Sequence, residues 1–456
     1  MTNLKTVRVR FARNAGLAFA QVLTEPMIRD VLNDQGVQYR DRVFNPVTTI
    51  WGFLSQVLSD DHSCRDAVAR IIAHRAASGI RVCSPNTASY GNARRRMQTG
   101  VLRTLAKRTA QELQRNAAEE WKWNGRSVFL ADGSHVSMPD TPKNQACYPQ
   151  PPTQKPGLGF PLARITVLLS LATGACHDLA IAPYKGKGTG ETTLLRRMYD
   201  ALKPGDVVLA DALFDNYFLI CDLRDRGIDV VIRVKYPRVK SLTEQCRPDG
   251  DILVWQRPNK PCGMAGEHYR SYPRTLRMRE VAVDTRDKNN RVKQFKVVTT
   301  IPEAAIDGGQ ISSLYERRWT GEVDIRSIQS AMRMDILRCK TPEMVEKEIG
   351  AHVRAYNVLR TVMAVAASEQ GLVPCPVSFQ GAKQVVTAFA PKIESARPKD
   401  RAALIEAMLR AVAYHRVDNR PGRWEPRARK SRRRPGSPLT QPRAIAKLEH
   451  NRSKWY

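Results

Sequence analysis

Three carboxylates in this sequence stand where they could act together. Val128-Phe129-Leu130-Ala131 is an apolar run short enough to be a buried strand, and it ends in Asp132-Gly133. Val207-Val208-Leu209-Ala210 repeats that grammar and ends in Asp211. Two such strand tips, side by side in one sheet, put two carboxylates at one edge of the core. Glu322 follows in Tyr315-Glu316-Arg317-Arg318-Trp319-Thr320-Gly321-Glu322, a segment of helical period. Three convergent oxygen donors on rigid elements are what a pair of hard divalent ions needs. In a chain of formal charge +30, the matching substrate is a nucleic-acid phosphodiester.

Composition narrows the setting. Lys and Arg number 74 against 44 Asp and Glu, an excess that repels itself unless a polyanion is the partner. At 456 residues the chain exceeds what one core usually fills, so two to four domains are expected. Nine cysteines are scattered with no CxxC pair and no zinc-like spacing to histidine, which argues against a disulfide framework and a structural zinc. The N-terminus has no secretory pattern, and no apolar run of 18 residues occurs, so a reducing, cytoplasmic compartment is expected.

The elements that must position the carboxylates divide the chain into five stretches. Residues 1–125 read as a helical, DNA-binding region. Its first 45 residues are weakly periodic, with Pro26 and Gly36 interrupting, and helices follow over 47–59, 62–77 and from Ser84-Pro85 to Met97. The last of these carries Arg94, Arg95 and Arg96 as candidate phosphate contacts. Residues 126–235 give strands at Val128–Leu130, Phe160–Leu171 and Ala175–Ala182, then a helix over 188–202. A strand at Val207–Ala210, a helix at Phe214–Arg226 and a strand at Asp229–Val234 complete the stretch. That βββαβαβ order is the α/β, ribonuclease-H-like mixed sheet, in which the first and fourth strands are neighbours and Asp132 meets Asp211. Residues 236–303 lose helical period and read as a β-rich insertion. Residues 304–370 resume the core, with a helix over 309–331 on which Tyr315, Arg318, Trp319, Glu322, Arg326 and Gln329 share one side. Residues 371–456 form a helical region and a basic tail, with 13 Lys or Arg against 3 acidic residues from Arg416 onward and Arg432, Arg433 and Arg434 at its densest point.

These features resemble the IS4-type insertion-sequence transposases, which are DDE enzymes. The family signature is tyrosine, two residues, arginine, three residues, glutamate, six residues and lysine. Here it reads Tyr315, Arg318 and Glu322, with Gln329 in the place of the lysine. The resemblance implies a catalytic triad of Asp132, Asp211 and Glu322 holding two Mg²⁺ ions about 4 Å apart, with Mn²⁺ able to substitute. It implies hydrolysis at the 3′ end of a mobile element and joining of the 3′-OH to target DNA. The partners would be double-stranded terminal inverted repeats and target DNA, bound by a dimer on paired ends, in a bacterial cytoplasm at the nucleoid. Tyr315, Arg318, Arg326 and Gln329 would touch DNA, and Trp255 in the insertion would support a flipped base. Two other readings stay open: a metal-dependent nuclease of the same fold, and a catalytically weakened, transposase-derived DNA-binding protein.

Overall fold

The computed structural model describes residues 23–235, 241–286, 292–302, 306–417 and 439–453. The described chain begins with helices α1 (Glu25–Asp34), α2 (Pro46–Leu58), α3 (Cys64–Ala77), α4 (Ala88–Arg96) and α5 (Thr99–Arg115). Pro26 does not interrupt a helix but opens one. In the first turn its missing N–H costs nothing, and Thr24 Oγ1 caps the turn by accepting from the Met27 N–H at 3.4 Å. Ser84-Pro85, by contrast, is not a helix start. Ser84 and Asn86 spend their side-chain oxygens on the N–H groups of Asn86 and Ala88, and the helix begins only after that turn.

Next come β1 (Val128–Ser137), α6 (Pro142–Cys147), β2 (Leu162–Ser170), β3 (Cys176–Pro183), α7 (Glu191–Arg196), β4 (Val207–Ala210), α8 (Tyr217–Asp225) and β5 (Asp229–Arg233). β1 pairs antiparallel with β2 and parallel with β4, and β4 pairs parallel with β5, giving the order 3-2-1-4-5. This is the ribonuclease-H-like arrangement that the element order predicts. The helix expected over 188–202 is shorter, because Gly188 adopts a φ of 74° and regular helix begins only at Glu191.

Strands β6 (Ser241–Gln245) and β7 (Asp251–Gln256), helix α9 (Gly266–Ser271) and strands β8 (Thr275–Arg286) and β9 (Val292–Thr299) follow. They continue the same sheet. β9 pairs antiparallel with β5, with Val231 opposite Thr299, and β8, β7 and β6 add in turn to make nine strands.

The single helix expected over 309–331 is three pieces: α10 (Gly308–Glu316), α11 (Arg318–Arg326) and a π-helical turn at Ser327–Ala331. A π turn fits an additional residue into the helix, so Gln329 is rotated off the line expected from steps of three and four. Helices α12 (Pro342–Glu369), α13 (Phe379–Ser395), α14 (Pro398–Tyr414) and α15 (Arg443–Ser453) complete the described chain.

The sheet separates two apolar clusters. On one face Val128 and Leu130 pack with Ile325 and Ile328, and with α12 and residues of α2 and α5. On the other, Phe129 and Ala131 pack with Leu194, Leu195 and Leu219. Among the described residues, no helix is long and apolar enough to cross a membrane.

Candidate active site

β1 and β4 run parallel with Ala131 opposite Ala210, so Asp132 and Asp211, the next residue on each strand, emerge side by side. β4 ends there, whereas β1 continues along β2 to Ser137. Asp132 Oδ1 accepts the Gly133 N–H at 2.8 Å. Asp211 Oδ1 accepts the Leu213 N–H, also at 2.8 Å, and so caps a short 3₁₀ turn over Ala212–Phe214.

Glu322 reaches this edge because α11 lies hard against β1. A Cβ placed on Gly321 would stand 1.8 Å from Leu130 Cδ2, so only glycine permits the approach. Two residues on, Asp324 turns the other way and forms a buried ion pair with Arg360 of α12. Arg360 Nε also donates to Tyr356 Oη at 2.8 Å. Gly321 thus sets how near the helix comes, and the Asp324–Arg360 pair sets how it is turned about its axis.

The electrostatics show the carboxylates acting on one another. Burial pushes the Asp132 carboxyl up to about 6. The Gly133 N–H opposes this, the Asp211 charge adds to it, Arg318 opposes it and Glu322 adds to it. Arg318 donates to Glu322 Oε1 at 2.6 Å, with the two side chains 19% and 30% exposed. Burial raises the Tyr315 hydroxyl to about 12, so it stays a proton donor at working pH.

A fourth carboxylate, which the sequence reading did not single out, faces the same place. Glu191 opens α7, and its carboxyl is raised by burial and then by the Asp211 charge, with Arg164 opposing and Asp132 adding. Its isolated position in a glycine-punctuated stretch, Gly188-Thr189-Gly190-Glu191, offers no periodic signal.

Among the described residues, no group of three His, Cys, Asp or Glu side chains is already drawn together as metal ligands. The donor set nevertheless suits hard divalent ions, being all carboxylate oxygen. Crowded like charges that raise Asp132 are also what a dication would relieve.

Other expected contacts fall on both sides of the line. Arg94 is only 5% exposed: its guanidinium lies 3.9 Å from the Phe53 ring centroid and donates to Gln56 Oε1, Cys64 Sγ and Cys339 Sγ, each at 3.2 Å. The expectation that it contacts phosphate is therefore corrected, because α4 turns this residue into the core. Arg95 and Arg96 are exposed. Trp255 is corrected likewise. At 1% exposure it fills the cluster beneath α8, and its ring has no free face for a base. Arg326 is exposed, and so is Trp319, at 63%. Gln329 donates to Ser134 Oγ and, at 3.3 Å, to the His135 carbonyl, tying the π turn to β1 just past Asp132. Arg432, Arg433 and Arg434 lie outside the described residues.

Known proteins resemble this chain. The family described as "Transposase DDE domain" matches residues 123–358. The transposase InsG of insertion sequence element IS4 from Escherichia coli K12 is 25% identical over 351 residues, covering 75% of each chain. A piggyBac transposase in a synaptic complex with hairpin DNA aligns over 89% of this chain and 85% of its own. That alignment has 11% identity and a TM-score of 0.41, too low to bear on fold or chemistry. The matched segment spans more than half of the chain and contains Asp132, Asp211 and Glu322, so this chain belongs to the DDE transposase family and within it resembles the IS4 insertion-sequence enzymes.

Proposed function

We propose that this transposase binds two Mg²⁺ ions through Asp132, Asp211 and Glu322, cuts the phosphodiester at the 3′ ends of its element and joins the freed 3′-OH to target DNA. The observation that carries the reading is the Ala131–Ala210 register, which sets two aspartates abreast at the edge where Gly321 lets Glu322 arrive. Bound there, the ions would neutralise the scissile phosphate and lower the pKa of the attacking hydroxyl, and Mn²⁺ would serve in their place. Asp132, Asp211 and Glu322 would hold the ions between them. Arg318 holds Glu322 in position and stays charged at any working pH. Tyr315 is a hydrogen-bond donor on the same side, and exposed Arg326, Arg95 and Arg96 meet phosphates further along the duplex.

Residues 1–125 serve as the DNA-binding region, 126–235 and 304–370 as the catalytic core, 236–303 as its insertion, and 371–456 as helices with a basic tail. The terminal inverted repeats are paired in a dimer on chromosomal DNA. The test is a duplex carrying the terminal repeat, incubated in Mg²⁺ with Glu322→Gln. End binding should persist and cleavage should vanish, whereas robust cleavage by this variant would take the glutamate helix out of the site. Wild-type cleavage without joined products would reassign the chain to a nuclease.

A further inference from the structure

Gly133 is glycine for want of space rather than for its backbone. Its φ lies outside the left-handed region, so other residues could adopt the conformation. A Cβ there, however, would stand 2.1 Å from Glu191 Cδ and 2.4 Å from each of its carboxylate oxygens. The Glu191 carboxylate thus occupies the place where a side chain of residue 133 would go, one residue past Asp132.

The direction of approach matters as much as the distance. Side chains alternate along β1: Leu130 belongs to the apolar cluster under α11, and Phe129 and Ala131 belong to the one under α7. Glu322 therefore comes to the strand tips from one face of the sheet, and Glu191 from the other. An ion held by Asp132 and Asp211 at the edge of the sheet would be reached from both.

Glu191 is not occupied as half of an ion pair. Arg164 acts on it only from a distance; its Nη1 donates to the Thr189 carbonyl at 3.3 Å, and its guanidinium carbon lies 5.5 Å from the Tyr184 ring centroid. Among the described residues, Glu191 has no salt-bridge partner. Glu322, by contrast, is already engaged by Arg318 at 2.6 Å. A half-buried carboxylate near two others, with only the distant Arg164 to answer it, costs stability unless something positive arrives.

We infer that Glu191 is a fourth carboxylate ligand of the divalent-ion site, closing the coordination sphere from the sheet face opposite Glu322, and that Gly133 is the gap through which it reaches. This rests on the metal-dependent reading above.

The test is Mn²⁺ binding to the full chain without DNA, followed by electron paramagnetic resonance, in four variants, Glu191→Gln, Gly133→Ala, Asp132→Asn and Asp211→Asn, and in the conservative Glu191→Asp. Glu191→Gln should weaken Mn²⁺ by about tenfold to a hundredfold, the range seen when groups around a metal are removed. Gly133→Ala, which displaces Glu191 while leaving all the carboxylates in the chain, should do the same, and Glu191→Asp should recover part of the loss. If Glu191→Gln does not fold, Gly133→Ala decides the matter. Wild-type affinity in Glu191→Gln and Gly133→Ala, alongside weak binding in Asp132→Asn, would overturn the role of Glu191 and leave the proposed function standing. Wild-type affinity in all four would overturn both.

Discussion

Around α12 the buried Arg360 and Lys347 are answered by oxygen acceptors, whereas at the β1–β4 edge carboxylates crowd together with few cations among them. Arg360 pairs with Asp324, and Lys347 Nζ reaches Glu343 at 2.5 Å and the Arg95 carbonyl at 2.7 Å. Arg354 is answered only in part: its Nη1 donates to the Leu105 carbonyl at 2.7 Å, while its Nε and Nη2 have no hydrogen-bond partner among the described residues. At the β1–β4 edge, Asp132, Asp211, Glu322 and Glu191 gather near Arg318 and Arg164. The first region uses charge to fix how elements are turned. The second keeps charge in a state that folding alone does not satisfy, which is how a binding site differs from a structural network.

Breaking the satisfied side should have the largest effect. Arg360→Met leaves Asp324 buried and unpaired, and should cost about 3–5 kcal/mol in denaturant unfolding. Arg360→Met combined with Asp324→Asn should recover much of that. A single variant as stable as the wild type would show that the pair does not hold α11.

The unsatisfied side should respond with the opposite sign. The Asp132 carboxyl titrates near 6 in the folded chain against 3.8 as its ordinary value, so the folded state binds the proton more tightly. The stability this gives is full below pH 4 and is lost as pH rises from about 4 to 6. Asp132→Asn should therefore stabilise the metal-free protein by about 3 kcal/mol at pH 7, and leave it unchanged below pH 4. Chelator-treated unfolding across pH 3.5 to 7.5 would measure it, and a flat difference would show that the Asp132 carboxyl is not raised by its burial and neighbouring charges.

Smaller effects should separate neighbours on α4. Arg94→Ala should cost about 1–3 kcal/mol, because it strips a buried group from its partners. Arg95→Ala and Arg96→Ala should leave stability within about 0.5 kcal/mol. If they meet phosphates, each should flatten the log–log salt dependence of DNA binding by about 0.9. An unchanged slope would mean that these side chains are merely solvated. The smallest stability change is expected for Gln329→Lys, which exchanges one donor for another beside Ser134 while adding charge. Its cleavage rate in Mg²⁺ should rise, and a wild-type rate as high or higher would show glutamine to be no handicap there.

Much of this was legible before any coordinates. Four apolar residues ending in aspartate can hardly be anything but a buried strand tip, and the order of elements places two such tips together. The start of α12 is local chemistry of the same legible kind: Thr341 Oγ1 accepts from the Met344 N–H, with Pro342 in the first turn. What stayed hidden depends on which way an element faces. Arg94, Arg95 and Arg96 are chemically alike in sequence, and only the packing of α4 on α2 decides that the first turns inward. Trp255 is set by the twist and register of β7. The break at Arg317 and the π turn shift the helical phase without any proline to mark them. Glu191 gave no signal because its significance lies in Gly133, a residue far off in sequence that reads as an ordinary turn.

The continuity of the sheet has a geometrical consequence. Neighbouring strands are rotated by about 20–25°, so the six steps from β1 to β6 accumulate about 120–150°. Across a width of about 29 Å, the platform that bears Asp132 has wound well past perpendicular by the time it reaches the exposed strand Ser241–Gln245. A straight duplex resting at the carboxylate edge can follow such a surface for only a few strands before it falls away. Strands β6–β9 must then meet that duplex on another side, or meet a different one. Crosslinks placing β6 and Asp132 in the same groove of a single straight duplex would contradict this.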